Sequence, residues 1–208
     1  MTLSTAWFPP TEFFALLAKN SVVYMEACES YRKQSWRNRC RILTSNGPMD
    51  LRVPVLHDGE RLVSRVRVDW STDWLRRVCY AMDTAYYSSP FFEYYRDELF
   101  SVLDRRRETL WEMNSDIISF CCRKIGIAPK IVPTVDYVAS LPDDWREALH
   151  PKRPPVLETG PYWQVFRDKF GFTGGLSVVD LLFNEGPESL SYLLSCTQLR
   201  NPFSELTR

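Results

Sequence analysis

Alternation of apolar and polar residues predicts strands in the first third of the chain. Residues 22 to 25 form a short apolar run that is typical of a buried strand. Residues 49 to 55 alternate behind an S-N-G-P turn at 45 to 48, and residues 62 to 69 alternate behind an H-D-G-E turn at 57 to 60. Together with the arginine-rich stretch before the first turn, these segments predict a three-stranded β-meander.

Helical spacing replaces this alternation in the middle of the chain. Apolar residues recur every three or four positions after Ser71, after Ser89 and from about Glu108, and the two serines suit helix N-caps. Further helices are indicated from residue 11 and between residues 177 and 194. The fold class is therefore α/β or α+β, with a small sheet that includes the meander packed against about five helices.

Length and composition fit a single domain. The chain has 208 residues, of which 45% are hydrophobic and 25% are charged, so it can bury one substantial core. We predict one domain over residues 1–208. Within it we expect a proline-marked connector at about 138–160 and a fraying tail at about 198–208.

The stretch with the most candidate chemistry reads Y-R-K-Q-S-W-R-N-R-C-R-I, from residue 31 to residue 42. Arg37, Arg39 and Arg41 recur at period two, so an extended strand would present three guanidinium groups on one face. A guanidinium group binds carboxylate or phosphate through two parallel hydrogen bonds. The alternative is that these arginines pair with neighbouring Asp and Glu residues on an exposed strand.

Four neighbouring side chains complete the predicted substrate-binding set. Asn38 lies between two of the arginines and would orient a carbonyl or hydroxyl group, while Lys33 would add positive charge. Tyr31 and Trp36 offer flat surfaces that stack on a base, a sugar or an arginine. We therefore predict that this stretch binds a small anionic substrate.

The overall charge confines any anion site to a local patch. Lys+Arg and Asp+Glu are both 26 and the pI is near 6.7, so no global field favours nucleic acid or anionic lipid. The first residues lack the features of a signal peptide, and no apolar run approaches the ~20 residues of a membrane span. We expect a cytoplasmic protein with no membrane insertion and no nucleic-acid partner.

Side chains with catalytic potential are few. The chain has two histidines and six cysteines without a C-x-x-C pair, which argues against a metal site and against a serine-hydrolase triad. His150 and Asp180 are the candidates for proton transfer, while Asp180 also stands three residues after Ser177, where a capping box would place it. The adjacent Cys121 and Cys122 are expected to be inert core residues. The sequence assigns no cofactor.

Motifs along the chain add a family resemblance. They are R-N-R with L-R-V-P-V after it, A-Y-Y-S-S-P-F-F-E-Y-Y, H-P-K, Y-W-Q-V-F and L-S-V-V-D-L-L-F-N-E-G-P-E. Together, from Leu3 to about Leu194, they resemble the WbqC-like family, in the branch found in Bacteroides-type bacteria. The resemblance implies a role in bacterial surface polysaccharide biosynthesis, alongside other enzymes of a glycan pathway. Acyl or aminoacyl transfer to an amino sugar, with a nucleotide-sugar-like substrate, is one reaction that fits it.

The chain departs from the family pattern near its N-terminus. Many members carry His-Gln-Pro in the first strand-to-helix loop, where this chain has Ser4, Thr5 and Ala6, and Val78 lies near the place of a further histidine. If those histidines act as general bases, this chain must use another group. Two functions therefore stay open. One is a transferase of glycan biosynthesis that acts on a phosphate- or carboxylate-bearing substrate, and the other is a non-catalytic ligand-binding or scaffolding protein of such a pathway.

Overall fold

The computed structural model describes residues 1–198, and they form an α+β fold, which confirms the predicted class. The strands are β1 (Thr2–Ser4), β2 (Val22–Glu26), β3 (Arg39–Thr44), β4 (Gly47–Arg52), β5 (Lys130–Pro133), β6 (Leu157–Glu158) and β7 (Thr197–Gln198). The α-helices are α1 (Thr11–Ala18), α2 (Trp74–Tyr86), α3 (Phe92–Leu103), α4 (Leu110–Ile125), α5 (Arg167–Phe170), α6 (Val178–Glu185) and α7 (Ser189–Ser195). Short 3-10 helices span Trp36–Asn38 and Gly186–Glu188.

A parallel sheet in the order β1-β2-β5 brings distant segments together. Parallel neighbours need a crossover connection, which α1 supplies between β1 and β2, and α2 to α4 supply between β2 and β5. The register pairs Ser4 with Glu26 at the carboxyl ends of β1 and β2. The loops that follow these two strands therefore leave the sheet at one edge, and the second of them leads into the arginine-rich stretch.

The predicted hairpin at residues 39 to 52 is confirmed. Strands β3 and β4 pair antiparallel, and Gly47 closes the turn opposite Thr44 with a φ of +101°, which glycine adopts without strain. Cys40 and Ile42 are fully buried beneath the hairpin. Because side chains alternate along a strand, Arg39 and Arg41 lie on the opposite face.

The third strand of the predicted meander does not form as a ladder. Residues 62 to 69 make only isolated bridges, as between Val55 and Val68. The N–H of Val63 donates to the backbone carbonyl of Glu29, and the N–H of Val68 donates to the backbone carbonyl of Glu108. These backbone groups are thus already paired with other segments, so the alternation here reflects one-sided burial and not membership of a sheet.

The helix ends agree with the sequence only in part. Gly126 ends α4 with a φ of +87°, a left-handed conformation that favours glycine. Ser71 and Ser89 are not the N-caps of α2 and α3, whose capping positions are Asp73 and Phe91. The hydroxyl of Ser89 instead donates to Asn184 on α6, which ties the start of α3 to the C-terminal part of the chain.

A core rich in aromatic residues joins the sheet, the hairpin and the helices. Its largest fully buried members are Trp7, Phe8, Phe13, Phe14, Tyr86, Phe92, Phe120 and Phe183. Phe183 on α6 packs at 5.0 Å against both Tyr86 of α2 and Phe92 of α3, close to edge-on. This contact fixes α6 against the middle helices and so positions Asp180, one turn earlier on the same helix.

Over residues 1–198, no helix combines the length and the apolar character that crossing a membrane requires. The tail predicted from about residue 198 lies, from residue 199 onward, outside the described residues. The proline-marked connector predicted at about 138–160 is irregular apart from β6, which pairs with β7.

Candidate functional site

Arg37 lies in a 3-10 turn at Trp36–Asn38, whereas Arg39 and Arg41 lie in the strand that follows it. The side chain of Ser35 caps this turn by accepting a hydrogen bond from the N–H of Arg37. The chain is therefore not extended at Arg37, and the expectation that it shares a face with Arg39 and Arg41 is corrected. Arg39 and Arg41 do share a face, because both belong to β3.

Arg37 is buried at the carboxyl-end edge of the parallel sheet. Its Nε and Nη2 donate to the two carboxylate oxygens of Glu29, at 2.8 and 2.6 Å, in a fork-like ion pair. Its Nη2 also donates to the hydroxyl of Ser4, at 2.9 Å. Arg37 is only 3% exposed, so these protein groups already use much of its hydrogen-bonding capacity.

Arg39 and Arg41 share one carboxylate across the hairpin. Asp50 stands directly opposite Arg41, whose Nε donates to it at 2.8 Å, and Nη1 of Arg39 reaches it at 3.3 Å. Arg52 stands opposite Arg39 on the same face. Arg41, and in part Arg39, thus pair with an acidic neighbour, as the alternative interpretation of the sequence predicted. The carboxylate of Asp50 nevertheless shares its face of the hairpin with the three guanidinium groups of Arg39, Arg41 and Arg52.

Next to this face lies a cleft of about 580 Å³, called the basic cleft below. Four of the predicted substrate-binding residues line it, namely Tyr31, Lys33, Asn38 and Arg39. Arg52, His57, Asp69, Trp74 and Arg77 line it as well. The volume falls within the roughly 300–1,000 Å³ of small-molecule sites, so the cleft has the size of a substrate pocket.

Positive charge dominates the basic cleft. Lys33, Arg52 and Arg77 are exposed, and none of them makes an ion pair within residues 1–198. Asp69 is the one acidic residue in the lining. The chain has no net charge, so this local excess of cations is an uneven distribution that would attract an anion.

Two residues that line the cleft each contain a buried donor without a partner among the described residues. Nε of Arg39 and Nε1 of Trp74 are inaccessible to solvent and make no hydrogen bond with any described residue. A buried N–H left unpaired costs about 1–3 kcal/mol, and most such groups in folded proteins are satisfied. Because both groups only donate, the atom that would satisfy them is an acceptor, such as a phosphate or carboxylate oxygen.

Asn38 and Tyr31 are held in place at the rim of the cleft. The side-chain amide of Asn38 donates to the carbonyl of Val53 at 2.8 Å, which fixes its orientation and leaves Oδ1 to accept from a ligand. Burial raises the pKa of Tyr31, against the opposing effects of Arg37 and Arg39. The Tyr31 phenol is therefore neutral near pH 7 and can donate a hydrogen bond.

His57 is the histidine that lies in the cleft. Hydrogen bonds from Ser71 lower the pKa of Asp69, and the charge of His57 acts in the same direction. His57 and Asp69 both line the cleft. Histidine is the side chain that most often transfers protons near neutral pH, so the structure adds a candidate that sequence reasoning missed.

The two predicted proton-transfer residues lie elsewhere. His150 lines a separate pocket together with Trp36. Asp180 is 1% exposed and does not line the basic cleft. Its carboxylate accepts from the hydroxyl of Tyr86 at 3.0 Å and from that of Tyr162 at 2.6 Å. Through these hydrogen bonds Asp180 connects α6 to α2 and to the loop before α5, which is a structural role.

Of the two hydrogen bonds that a capping box at Ser177 would contain, only the one accepted by the serine hydroxyl has a counterpart here. The hydroxyl of Ser177 accepts from the N–H of Val179, as a cap should. The N–H of Ser177 donates to the carbonyl of Arg41 and therefore not to Asp180. Burial raises the pKa of Asp180, although hydrogen bonds from Tyr162, Gln164 and Tyr86 oppose the shift.

The residues that depart from the family pattern surround a small cavity. Ser4, Thr5 and Ala6 line it together with Arg37, and its volume of about 20 Å³ suits one water molecule. The hydroxyl of Ser4 donates to Glu29 at 3.2 Å and accepts from Arg37. Ser4 thus belongs to the buried ion pair and has no base beside it that is free to activate it.

Within the described part of the chain, no cluster of three or more His, Cys, Asp or Glu side chains is arranged to hold a metal ion. Burial raises the pKa of Cys121 well above its ordinary value and also raises that of Cys122. Both thiols lie on the buried side of α4.

Fold and site together define a class, an α+β protein with a basic cleft of the size and charge that suit a small anion. The model of the WbqC-like protein family matches residues 5–149, and the chain belongs to that family. The match is to the family as a whole. An uncharacterized protein of Mycobacterium tuberculosis (strain ATCC 25618 / H37Rv) is 27% identical, over 92% of this chain and 96% of that protein. No solved structure gave a significant match.

Proposed function

We propose that the protein binds a phosphate- or carboxylate-bearing sugar substrate in the basic cleft and acts as a transferase of bacterial surface glycan biosynthesis. The observation that carries the proposal is the set of exposed cations without ion-pair partners among the described residues, Lys33, Arg52 and Arg77, in the lining of a cleft of substrate size. A phosphate or carboxylate bound in the cleft would supply the negative charge that these cations lack. The resemblance of the chain to the WbqC-like family connects such a ligand to polysaccharide synthesis.

A nucleotide sugar fits the chemistry of the cleft. Its diphosphate would bind among Arg39, Arg52 and Arg77, whose planar groups match phosphate oxygens. Tyr31 offers a ring for stacking, and Asn38 Oδ1 offers an acceptor for a sugar hydroxyl. The cleft is open to solvent, since Lys33, Arg52 and Arg77 in its lining are exposed.

In acyl transfer to an amino sugar, the amine nitrogen attacks the acyl carbonyl and forms an amide. The attacking amine loses a proton, and the thiol or alcohol of the acyl donor leaves with one. His57 is the group in the cleft that would accept the proton of the amine and return it to the leaving group. Lys33 would stabilise the negative charge that develops on the carbonyl oxygen.

The second candidate function is non-catalytic binding within a glycan pathway. One specific observation favours it. Ser4 stands where many family members have a histidine, and its hydroxyl is engaged by Glu29 and Arg37. If the histidine of relatives is the essential base, this chain retains a binding cleft without the group that drives the reaction.

Adjacent arginines on α2 allow a matched binding test. Arg77 lines the cleft, whereas Arg76 points to solvent with 83% of its side chain exposed and pairs with Asp73. Titration calorimetry with nucleotide sugars should show about fivefold weaker binding for Arg77→Gln, because one charge-assisted hydrogen bond contributes about 1 kcal/mol or more. Arg76→Gln should bind like the parent protein. Equal affinity in all three proteins would contradict the proposed cleft.

The transferase and the binding protein are separated by turnover. The bound nucleotide sugar is incubated with acyl thioesters, and products are identified by mass spectrometry. The transferase predicts an acylated sugar that disappears in His57→Gln, while calorimetry shows that this variant still binds. Binding without any product across the thioesters favours the non-catalytic function.

A further inference from the structure

A second pocket lies beside the Trp36–Asn38 turn and shares no lining residue with the basic cleft. Its volume is about 220 Å³, and we call it the proline pocket because Pro10, Pro151, Pro154 and Pro155 line it. The turn contributes Trp36 to this pocket and Asn38 to the cleft. The two cavities are thus separate spaces that a single turn helps to form.

His150 presents a hydrogen-bond donor at this pocket. Burial lowers its pKa, with Glu147 opposing and Arg153 assisting, so the ring is neutral near pH 7. The backbone N–H of Lys152 donates to Nδ1 at 3.2 Å, which makes Nδ1 an acceptor. A neutral ring with an accepting Nδ1 carries its proton on Nε2. Nε2 makes no hydrogen bond with a described residue and is available to a ligand.

Two arginines add charge to the same pocket. Arg153 is exposed and makes no ion pair within the part of the chain that the structure describes. Arg41 lines the pocket with its guanidinium 5.7 Å from the ring centre of Trp36, while Nε and Nη2 bind Asp50. The acidic residue in the lining is Glu12, whose Oε1 accepts from the N–H groups of residues 156 and 157.

We infer that the proline pocket is a second binding site, for a small molecule that bears a carboxylate or a phosphate. Arg153 and His150 Nε2–H supply donors for the anionic group, and Trp36 forms a flat wall beside it. The volume lies below the roughly 300 Å³ of pockets for drug-sized ligands, so the occupant is smaller than a nucleotide sugar. This inference goes beyond the proposed function, because it adds a ligand site outside the basic cleft.

Tryptophan side chains report on the two cavities separately. Trp36 lines the proline pocket, and Trp74 lines the cleft, so the indole N–H resonance of each reports on changes around its own cavity. ¹⁵N-labelled protein is titrated with sodium acetate, with inorganic phosphate and with uridine diphosphate, and Trp→Phe variants assign the two resonances. We expect acetate or phosphate to shift the Trp36 signal saturably, also when uridine diphosphate is present. The anion that saturates at the lower concentration identifies the group that the pocket prefers.

Variants decide whether the response belongs to this pocket. Arg153→Gln should weaken the Trp36 response about tenfold, since its charge-assisted hydrogen bond is lost, and His150→Gln should weaken it less. Arg77→Gln, in the cleft, should leave it unchanged. Absence of a saturable shift, competition by uridine diphosphate, or equal effects of Arg153→Gln and Arg77→Gln would each overturn the inference. If uridine diphosphate binds nowhere but Trp36 responds to the small anions, the cleft proposal fails and the second site stands.

Discussion

Arg37 donates two hydrogen bonds to the carboxylate of Glu29, at 2.8 and 2.6 Å, in a region where both side chains are almost fully buried. Removing one partner of such a pair leaves the other charge buried without compensation, which costs several kcal/mol. The pair therefore contributes to folding before it contributes to any binding. Arg37 is for this reason a poor reporter of ligand affinity.

Glu29→Ala should lower the free energy of unfolding by about 3 kcal/mol, because Arg37 would lose its counter-ion in a buried position. Chemical denaturation followed by tryptophan fluorescence measures this change. The exposed pair between Arg96 and Asp97 provides the control, since Asp97→Ala should change stability by about 0–1 kcal/mol. A similar small effect for both variants would contradict the structural role of the Arg37 pair.

Arg39→Lys tests the fork geometry in the cleft without removing charge. Lysine keeps the cation but loses the planar arrangement of donors, including the unpartnered Nε. We expect the affinity for a phosphate-bearing ligand to fall by about 1–3 kcal/mol, with a small change in stability. Calorimetry and thermal melting on the same samples separate the two effects. Unchanged affinity in Arg39→Lys would remove Arg39 from the site.

The parts of the fold that could be predicted depend on local sequence. The turn at residues 45 to 48 and the helix stop at Gly126 follow from backbone preferences of a few adjacent residues. The face of Arg37 could not be predicted in this way. Its direction depends on Glu29 and Ser4, which the parallel sheet brings to one edge from separate segments.

The candidate site also combines residues that local sequence predicts with residues that only tertiary packing brings together. Tyr31, Lys33, Asn38 and Arg39 are close in sequence, and they also meet at the cleft. Arg52 follows from the hairpin register, which places it opposite Arg39. His57 lies on a loop, and Arg77 lies on α2, so only tertiary packing brings them to the cleft. No periodic pattern in the sequence predicts that His57 and Arg77 line the same cleft.

The buried Asp180 should make stability depend on pH. Its pKa is raised in the folded state, so the folded chain binds the proton more tightly than the unfolded chain does. This contribution to stability is fully present below the ordinary value of 3.8 and is lost as the pH rises through the higher folded pKa. Asp180→Asn is neutral at every pH, and its unfolding free energy should fall less between pH 4 and pH 7 than that of the parent.

Asp116 provides a control of opposite sign. Burial would raise its pKa, but hydrogen bonds and charge from Arg107 and Arg105 outweigh burial and lower it. The stability that this carboxylate contributes is present above its unfolded pKa and is lost as the pH falls. The free energy of unfolding is measured by denaturation at a series of pH values. Asp116→Asn should reduce the loss of stability that occurs as the pH falls, whereas Asp180→Asn should reduce the loss that occurs as the pH rises. Parallel profiles for Asp180→Asn and the parent protein would contradict the raised pKa.

Thiol labelling tests the prediction that Cys121 and Cys122 are inert. Both are buried in α4, and burial raises the pKa of each thiol, which disfavours the thiolate that attacks the reagent. Native protein is treated with a water-soluble alkylating reagent, and each site is scored by peptide mass. The half-buried Cys28 serves as the internal reference and should be modified first. Fast modification at residue 121 or 122, or its protection by a nucleotide sugar, would show an accessible thiolate and support a cysteine nucleophile in place of the His57 mechanism.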